Sequence, residues 1–286
     1  MNSLFVSRTK YGKDCLETMV SKGHVPKAIF TLKEDYKDVI SDFGEFDELS
    51  KRENIPLYKI DDIRFYKQIF GTNYEPSLLR SKENIELMKG YNPELIWLFG
   101  FGELIEPKSL KIPEIGWIGS HPTLLPKYRG GAPLVYPLLK GHTESGCTLM
   151  WLNEGIDTGE ILAQKKFKID INDNAKSVYH KMTDCYSKII KEVIPKFNRG
   201  IFPRRKQDES LFIEQWKPRT PKDSEINFDK PKDERTMLRY IHDQIRCVSG
   251  VYPSAFIKVG DKKIILKKSK FNPKKNKLKV LEVEVI

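Results

Sequence analysis

An α/β fold built on a mostly parallel sheet is what this 286-residue chain predicts, and three observations lead there. Short apolar runs alternate with helical stretches from the first residues onward. One of these runs, Glu94-Leu-Ile-Trp-Leu-Phe99, is apolar without interruption, as a strand buried on both faces of a parallel sheet must be. The length, at about 150 residues per domain, leaves room for a second domain.

Leu4 to Ser7 reads as the first strand, Asp14 to Ser21 as a helix and Ala28 to Leu32 as a second strand, lengths that suit a parallel crossover unit. Helical Phe46 to Asn54, extended Ile55 to Ile60, helical Ile85 to Lys89 and the strand ending at Phe99 continue the alternation. Trp117 to Ser120 is a further short strand, followed by an extended pair over Cys147 to Leu152 and Glu160 to Ile169. Between Asn174 and Phe197, Val178, Met182, Tyr186, Ile189, Ile190 and Val193 form a helical stripe that Pro195 helps to end. This helix closes a first domain over residues 1–200. Residues 198–222, with Pro203, Pro218 and Pro221, read as a connector. A smaller C-terminal α+β domain over residues 201–286 then has a helix near Lys232 to Arg246 and strands near Ala255 to Val259, Lys263 to Lys267 and Leu278 to Val285.

Apolar residues make up 39% of the chain and charged residues 31%, a balance too apolar for disorder. No apolar run approaches the ~18 residues of a membrane span, and the opening residues lack the charged head and long apolar region of a secretory signal, so no membrane partner and a cytoplasmic location are expected. Cys15, Cys147, Cys185 and Cys247 are too widely spaced for a zinc site or a disulfide framework, and no metal is expected. Of the net charge of +11, residues 201–286 carry +9 (21 basic against 12 acidic residues) and the first 200 only +2. A basic tail of this kind attracts phosphates, on nucleic acid or on a nucleotide.

The unusual residues concentrate in two places. Gly119-Ser-His-Pro-Thr-Leu-Leu-Pro-Lys-Tyr-Arg-Gly-Gly131 puts His121 at a strand end, where ligands of α/β sheets bind, and then a proline-stiffened loop. Asn153-Glu-Gly-Ile-Asp-Thr-Gly-Glu160 holds Asp157 in a glycine-flanked turn. Alone, a histidine is more often structural and Asp-Thr-Gly is often only a turn. Together, some 35 residues apart and with Thr148-Leu-Met150 between them, they resemble the folate-dependent formyltransferase family, which acts on methionyl-tRNA or on amino sugars. The resemblance extends to the opening strand-helix-strand and, more weakly, to Val251-Tyr-Pro-Ser-Ala-Phe256, and so covers most of the chain.

That resemblance implies a Rossmann-like formyltransferase domain and transfer of a formyl group from 10-formyltetrahydrofolate to a primary amine through a tetrahedral intermediate. It implies that His121 donates to the developing oxyanion and that Asp157 orients it, or a water, and assists proton removal. Phe99, Gly100, Phe101, Gly102 and Leu104, with Glu154, Gly155 and Ile156, match the loops that hold folate in the family; Pro126, Arg129 and Gly130 would border the acceptor. One position departs. The family usually carries asparagine two residues before the histidine, and here Gly119 stands there, on the same strand face as His121, while Ser120 faces away. Loss of an oxyanion donor costs ~100-fold to 1,000-fold in rate unless water or another group replaces it, so a catalytically impaired folate-binding homologue is a rival expectation.

For the acceptor, Lys33 to Ser50 matches the stretch that is basic in tRNA-specific members, but it holds seven acidic residues and only Lys33 and Lys37 as bases. Trp216-Lys-Pro-Arg-Thr-Pro-Lys-Asp223 resembles the Arg-Thr-Pro-Asp segment of members acting on nucleotide-linked amino sugars, which gives Arg219 a substrate role. A nucleotide-sugar amine is therefore the expected acceptor and tRNA the weaker candidate. Exposed strands in the C-terminal domain would allow a homodimer contact.

Overall fold

A computed structural model describes residues 1–38, 40, 42–60, 81–102, 104–229 and 233–286. The central sheet has seven strands. In chain order these are β1 (Ser3–Ser7), β2 (Ala28–Leu32), β3 (Leu57–Ile60), β4 (Leu95–Phe99), β5 (Gly116–His121), β7 (Glu144–Trp151) and β8 (Ile161–Lys168), lying in the spatial order β3-β2-β1-β4-β5-β7-β8. The pairs β1–β2, β1–β4, β2–β3 and β4–β5 are parallel, and β7 runs antiparallel to β5 with His121 opposite Thr148. β1, β2 and β4 are buried along their whole length, which is why β4 reads as an unbroken apolar run and β1 and β2 as apolar runs broken only by Ser3, Ser7 and Thr31.

Helix α1 (Lys10–Ser21) starts four residues before the predicted Asp14, because Thr9 caps it by accepting from the Gly12 amide at 3.3 Å. Helices α2 (Asp47–Glu53), α3 (Lys82–Gly90) and α4 (Pro107–Leu110) follow. Phe30 and Leu98 pack into the hydrophobic cluster with Tyr36, Met88 and Trp117, and Leu152 leans on its edge. Helix α6 (Ala175–Phe197) buries the predicted stripe, and Pro195 lies in its last turn. All four cysteines are buried thiols that contribute to packing.

The chain divides into two compact units, each assembled from separate stretches. One comprises Met1–His121, Cys147–Lys165 and Tyr186–Phe212; the other comprises Pro122–Gly146, Lys166–Cys185 and Ile213–Ile286. In the second unit, helix α7 (Glu234–Arg246) covers a three-stranded antiparallel sheet of β10 (Ala255–Val259), β11 (Lys262–Asn272) and β12 (Lys277–Val285). Residue 232, the predicted start of that helix, lies outside the described residues. β11 runs five residues beyond the expected Lys267, since a bulge near Lys268 lets both Leu266 and Phe271 reach the interior.

Part of the predicted connector is ordered structure. Glu214–Trp216 forms strand β9 and pairs in parallel with β6 (Tyr128–Gly130). Trp216 drives this, being 3% exposed and stacked on Tyr128 at 4.6 Å and on Tyr136, of the short helix α5 (Val135–Leu139), at 5.1 Å between ring centroids. Among the described residues, no helix is long and apolar enough to cross a membrane.

Candidate active site

His121 is the last residue of β5; the ladder to β4 runs as far as Gly119, and β7 continues beyond it with Thr148 opposite His121. The turn after Trp151 folds back over the same strand. Leu152 donates its amide to the Trp117 carbonyl at 2.9 Å, and five residues later the Asp157 carboxylate reaches His121, with Nδ1 to Oδ2 at 3.4 Å. The two side chains are 6% and 18% exposed, so the pair is largely withdrawn from water but opens to it on the Asp157 side. With Nδ1 turned to a carboxylate, the orientation of the imidazole is set by that pair.

Local chemistry shapes the turn. Asp157 has φ 53, the left-handed region that a non-glycine residue occupies only when its surroundings impose it. Asn153 Oδ1 accepts from the Gly155 amide at 3.1 Å and from Thr158 Oγ1 at 2.9 Å, closing the turn. A side chain at Gly159 would lie 1.6 Å from the Trp151 carbonyl oxygen, so glycine is obligatory there. Gln207 Nε2 donates to the carbonyls of Asp157 and Gly159 at 2.7 and 2.8 Å.

Ser120 faces away from His121, as strand parity requires, and its hydroxyl lies 3.1 Å from that of Tyr11. Burial pushes the Tyr11 phenol well above its ordinary range, with the Ser120 contact opposing the shift, so this pair is a neutral structural contact. The direction a side chain would take from Gly119 is filled. A Cβ there would meet Leu152 Cδ2 at 2.4 Å, Cγ at 3.0 Å and Cδ1 at 3.2 Å. Hydrocarbon therefore stands where an amide at position 119 would have to go.

At the end of β4, the Phe99 ring is fully buried and stacks on Phe5 at 5.5 Å, leaving only its main chain to offer a ligand. Gly100 has φ 69 and its carbonyl oxygen accepts from Arg8 Nε at 3.0 Å, while the Arg8 guanidinium lies 5.2 Å from the centre of the Phe101 ring. Gly102 faces open space, and Leu104 and Ile156 expose 46% and 41% of their surface, high for large apolar residues. Glu154 and Gly155 lie in the turn beside Ile156.

Pro126, Arg129, Gly130 and Arg219 belong to the second unit. The Leu125–Pro126 peptide is cis. Arg129 is buried in β6, and Gly130, with φ 92, allows the close approach of the Trp216 carbonyl, which a Cβ would meet at 2.3 Å. Arg219 Nη2 donates to the Asp223 carbonyl at 2.6 Å across a turn that Thr220 and Asp223 cap reciprocally. In the acidic stretch Lys33 to Ser50, Lys37 pairs with Glu45, and Lys59 pairs with Glu34 at 2.6 Å and Asp47 at 2.7 Å. Leu152 and Gln207 are the two site neighbours that sequence reasoning missed; neither lies in a motif, and no local signal marks them.

The family model described as formyl transferase matches residues 33–194. The chain is 28% identical over 264 residues to a methionyl-tRNA formyltransferase of Clostridioides difficile (strain 630), covering 91% of this chain and 77% of that one. It is 31% identical over 200 residues to a methionyl-tRNA formyltransferase of Wolbachia pipientis subsp. Culex pipiens (strain wPip), covering 68% of this chain and 61% of that one. Among solved structures, an N-formyltransferase from Helicobacter canadensis in complex with folinic acid and dTDP-3-aminofucose shares the fold with a TM-score of 0.62 at 19% identity, covering 95% of this chain and 88% of that one.

Proposed function

That this chain belongs to the formyl transferase family is the premise from which we propose its reaction, the transfer of a formyl group from 10-formyltetrahydrofolate to the primary amine of a nucleotide-linked amino sugar. The observation that carries the proposal is the meeting of His121 and Asp157 at 3.4 Å at the carboxyl end of β5, within the matched segment. A residue set able to take folate lies in the same unit. Exposed Leu104 and Ile156 suit the apolar face of a pteridine, and Gly100, Gly102 and Gly155, with the main chain at Phe99, Phe101 and Glu154, suit close backbone approach. The folate supplies the activated formyl group.

The chain's own residues then have distinct tasks. His121 keeps Nδ1 toward Asp157 and offers Nε2 as the hydrogen-bond donor to an oxygen that gains negative charge. Asp157 orients the ring and receives the amine proton, directly or through water; that proton passes to N10 of the departing tetrahydrofolate as its bond to the formyl carbon breaks. Partial burial of the pair strengthens both effects by excluding solvent. Residues 1–200 form the catalytic domain in this reading and residues 201–286 assist the acceptor, with Arg129, Gly130, Pro126 and Arg219 on its side.

A nucleotide sugar is favoured by the acidic stretch at Lys33 to Ser50, whose ion pairs with Lys37 and Lys59 leave little to grip a phosphate backbone. The second reading, methionyl-tRNA, is favoured by the names of the two matched relatives and by exposed Lys268 and Lys270 on β11, Lys279 on β12 and Lys274 in the turn between them. A homodimer through the open edge of β12, where Val283 and Val285 are exposed, is compatible with either. Formyl transfer measured side by side on a panel of amino-sugar nucleotides and on charged initiator tRNA separates the two. The proposal expects turnover on the panel. Efficient formylation of tRNA that weakens steeply with salt, with none on the panel, overturns it.

A further inference from the structure

Gln207 lies in the stretch after α6, fifty residues from the turn it touches, and the assigned chemistry gives it no part. Its Nε2 carries two hydrogens and spends both, on the Asp157 carbonyl at 2.7 Å and the Gly159 carbonyl at 2.8 Å. Those carbonyls bracket Thr158, and the first belongs to the residue with φ 53. A left-handed non-glycine residue relaxes toward ordinary backbone angles unless its peptides are held, and such relaxation would swing the carboxylate away from His121. The Asn153 bonds hold the amide of Gly155 and the hydroxyl of Thr158 and leave the carbonyls of Asp157 and Gly159 to Gln207.

We propose that Gln207 is a positioning residue for the reaction, clamping the carbonyls of Asp157 and Gly159 so that the left-handed turn delivers the Asp157 carboxylate to His121 Nδ1. The proposal rests on the reading of His121 and Asp157 as the reacting pair. It needs only the donor function of residue 207, which makes it separable from bulk packing. Gln207→Leu keeps reach and removes the donors, Gln207→Glu sets a carboxylate against two carbonyls, and Gln207→Lys supplies an ammonium that can serve both again.

The test uses the full chain. In the absence of ligands, the ring-nitrogen chemical shifts of His121 are recorded for wild type, the three Gln207 variants and Asp157→Asn; kcat and KM for the formyl donor are measured where there is turnover. Gln207→Leu and Gln207→Glu should move the Nδ1 shift in the direction that Asp157→Asn moves it. They should also lower kcat by ~10-fold to 100-fold, the scale of a misplaced catalytic group, with KM and melting temperature unchanged. Gln207→Lys should recover most of both. Wild-type shifts and kcat in Gln207→Leu, or losses that Gln207→Lys does not repair, overturn the proposal. If Asp157→Asn itself leaves the His121 shifts and turnover as in wild type, the paired-site reading has failed instead, whatever Gln207 does.

Discussion

Placing asparagine at position 119 tests whether the site lost a donor or was rebuilt around its absence. The structure sets the scale. A Cβ on residue 119 would sit 2.4 Å from Leu152 Cδ2, and ordinary carbon contact begins near ~3.5 Å, so the leucine must retreat by about 1 Å before the rest of the amide is accommodated. Leu152 is half-buried and its far end can turn, which keeps the strain within the ~1–3 kcal/mol of a typical overpacked substitution. Gly119→Asn should therefore lower the melting temperature by roughly 2–10 °C and reduce turnover on amino-sugar nucleotides. Leu152→Ala vacates the same space, so the double variant should be more stable than the sum of the two losses, by a coupling of ~0.5–3 kcal/mol. With room restored, the amide can act as a donor beside His121 and should raise turnover above that of Gly119→Asn by up to ~100-fold. Thermal melts of the four proteins and steady-state rates on one acceptor suffice. A single Gly119→Asn variant that melts like wild type and turns over faster would refute the reasoning, since it would mean that Leu152 offers no resistance.

His121→Ala and Asp157→Ala should each lower kcat by ~100-fold to 10,000-fold while formyl-donor binding, followed by titration with a non-hydrolysable folate analogue, persists; near-normal rates in either would remove that residue from the chemistry. A pH effect is expected at His24, which is 4% exposed and whose Nε2 accepts from Trp97 Nε1 at 3.2 Å, with Ser3 Oγ at 2.9 Å. Burial, aided by the N-terminal ammonium, lowers it from 6.5 to about 4. The unfolded chain thus binds the extra proton first, and stability should fall as pH drops from about 6.5 toward 4, by up to ~3 kcal/mol. His24→Gln should flatten that part of a denaturation-versus-pH curve; an unchanged slope would show that other groups carry it.

Much of the fold up to Phe197 is legible in the sequence because the signals are local. Continuous burial of β4 appears as Leu95 to Phe99, the α6 stripe recurs at helical spacing, and the two chemical segments announce themselves through their own turn and strand residues. Helix starts were less legible, because the cap at Thr9 lies outside the apolar pattern. Trp216 hid β9 in an apparent connector, since its stacking partners Tyr128 and Tyr136 lie some eighty residues away. The same limit governs the site. From the residues alone one can say that His121 and Asp157 are of the right type at the right kind of position. That their side chains lie 3.4 Å apart, that Leu152 fills the space facing Gly119 and that Gln207 holds the Asp157 turn are decided by contacts between residues 33 to 50 positions apart in the chain. Such contacts have no periodicity to read. They depend on where the folded backbone brings each side chain, and packing and hydrogen-bond geometry then select which pairs meet.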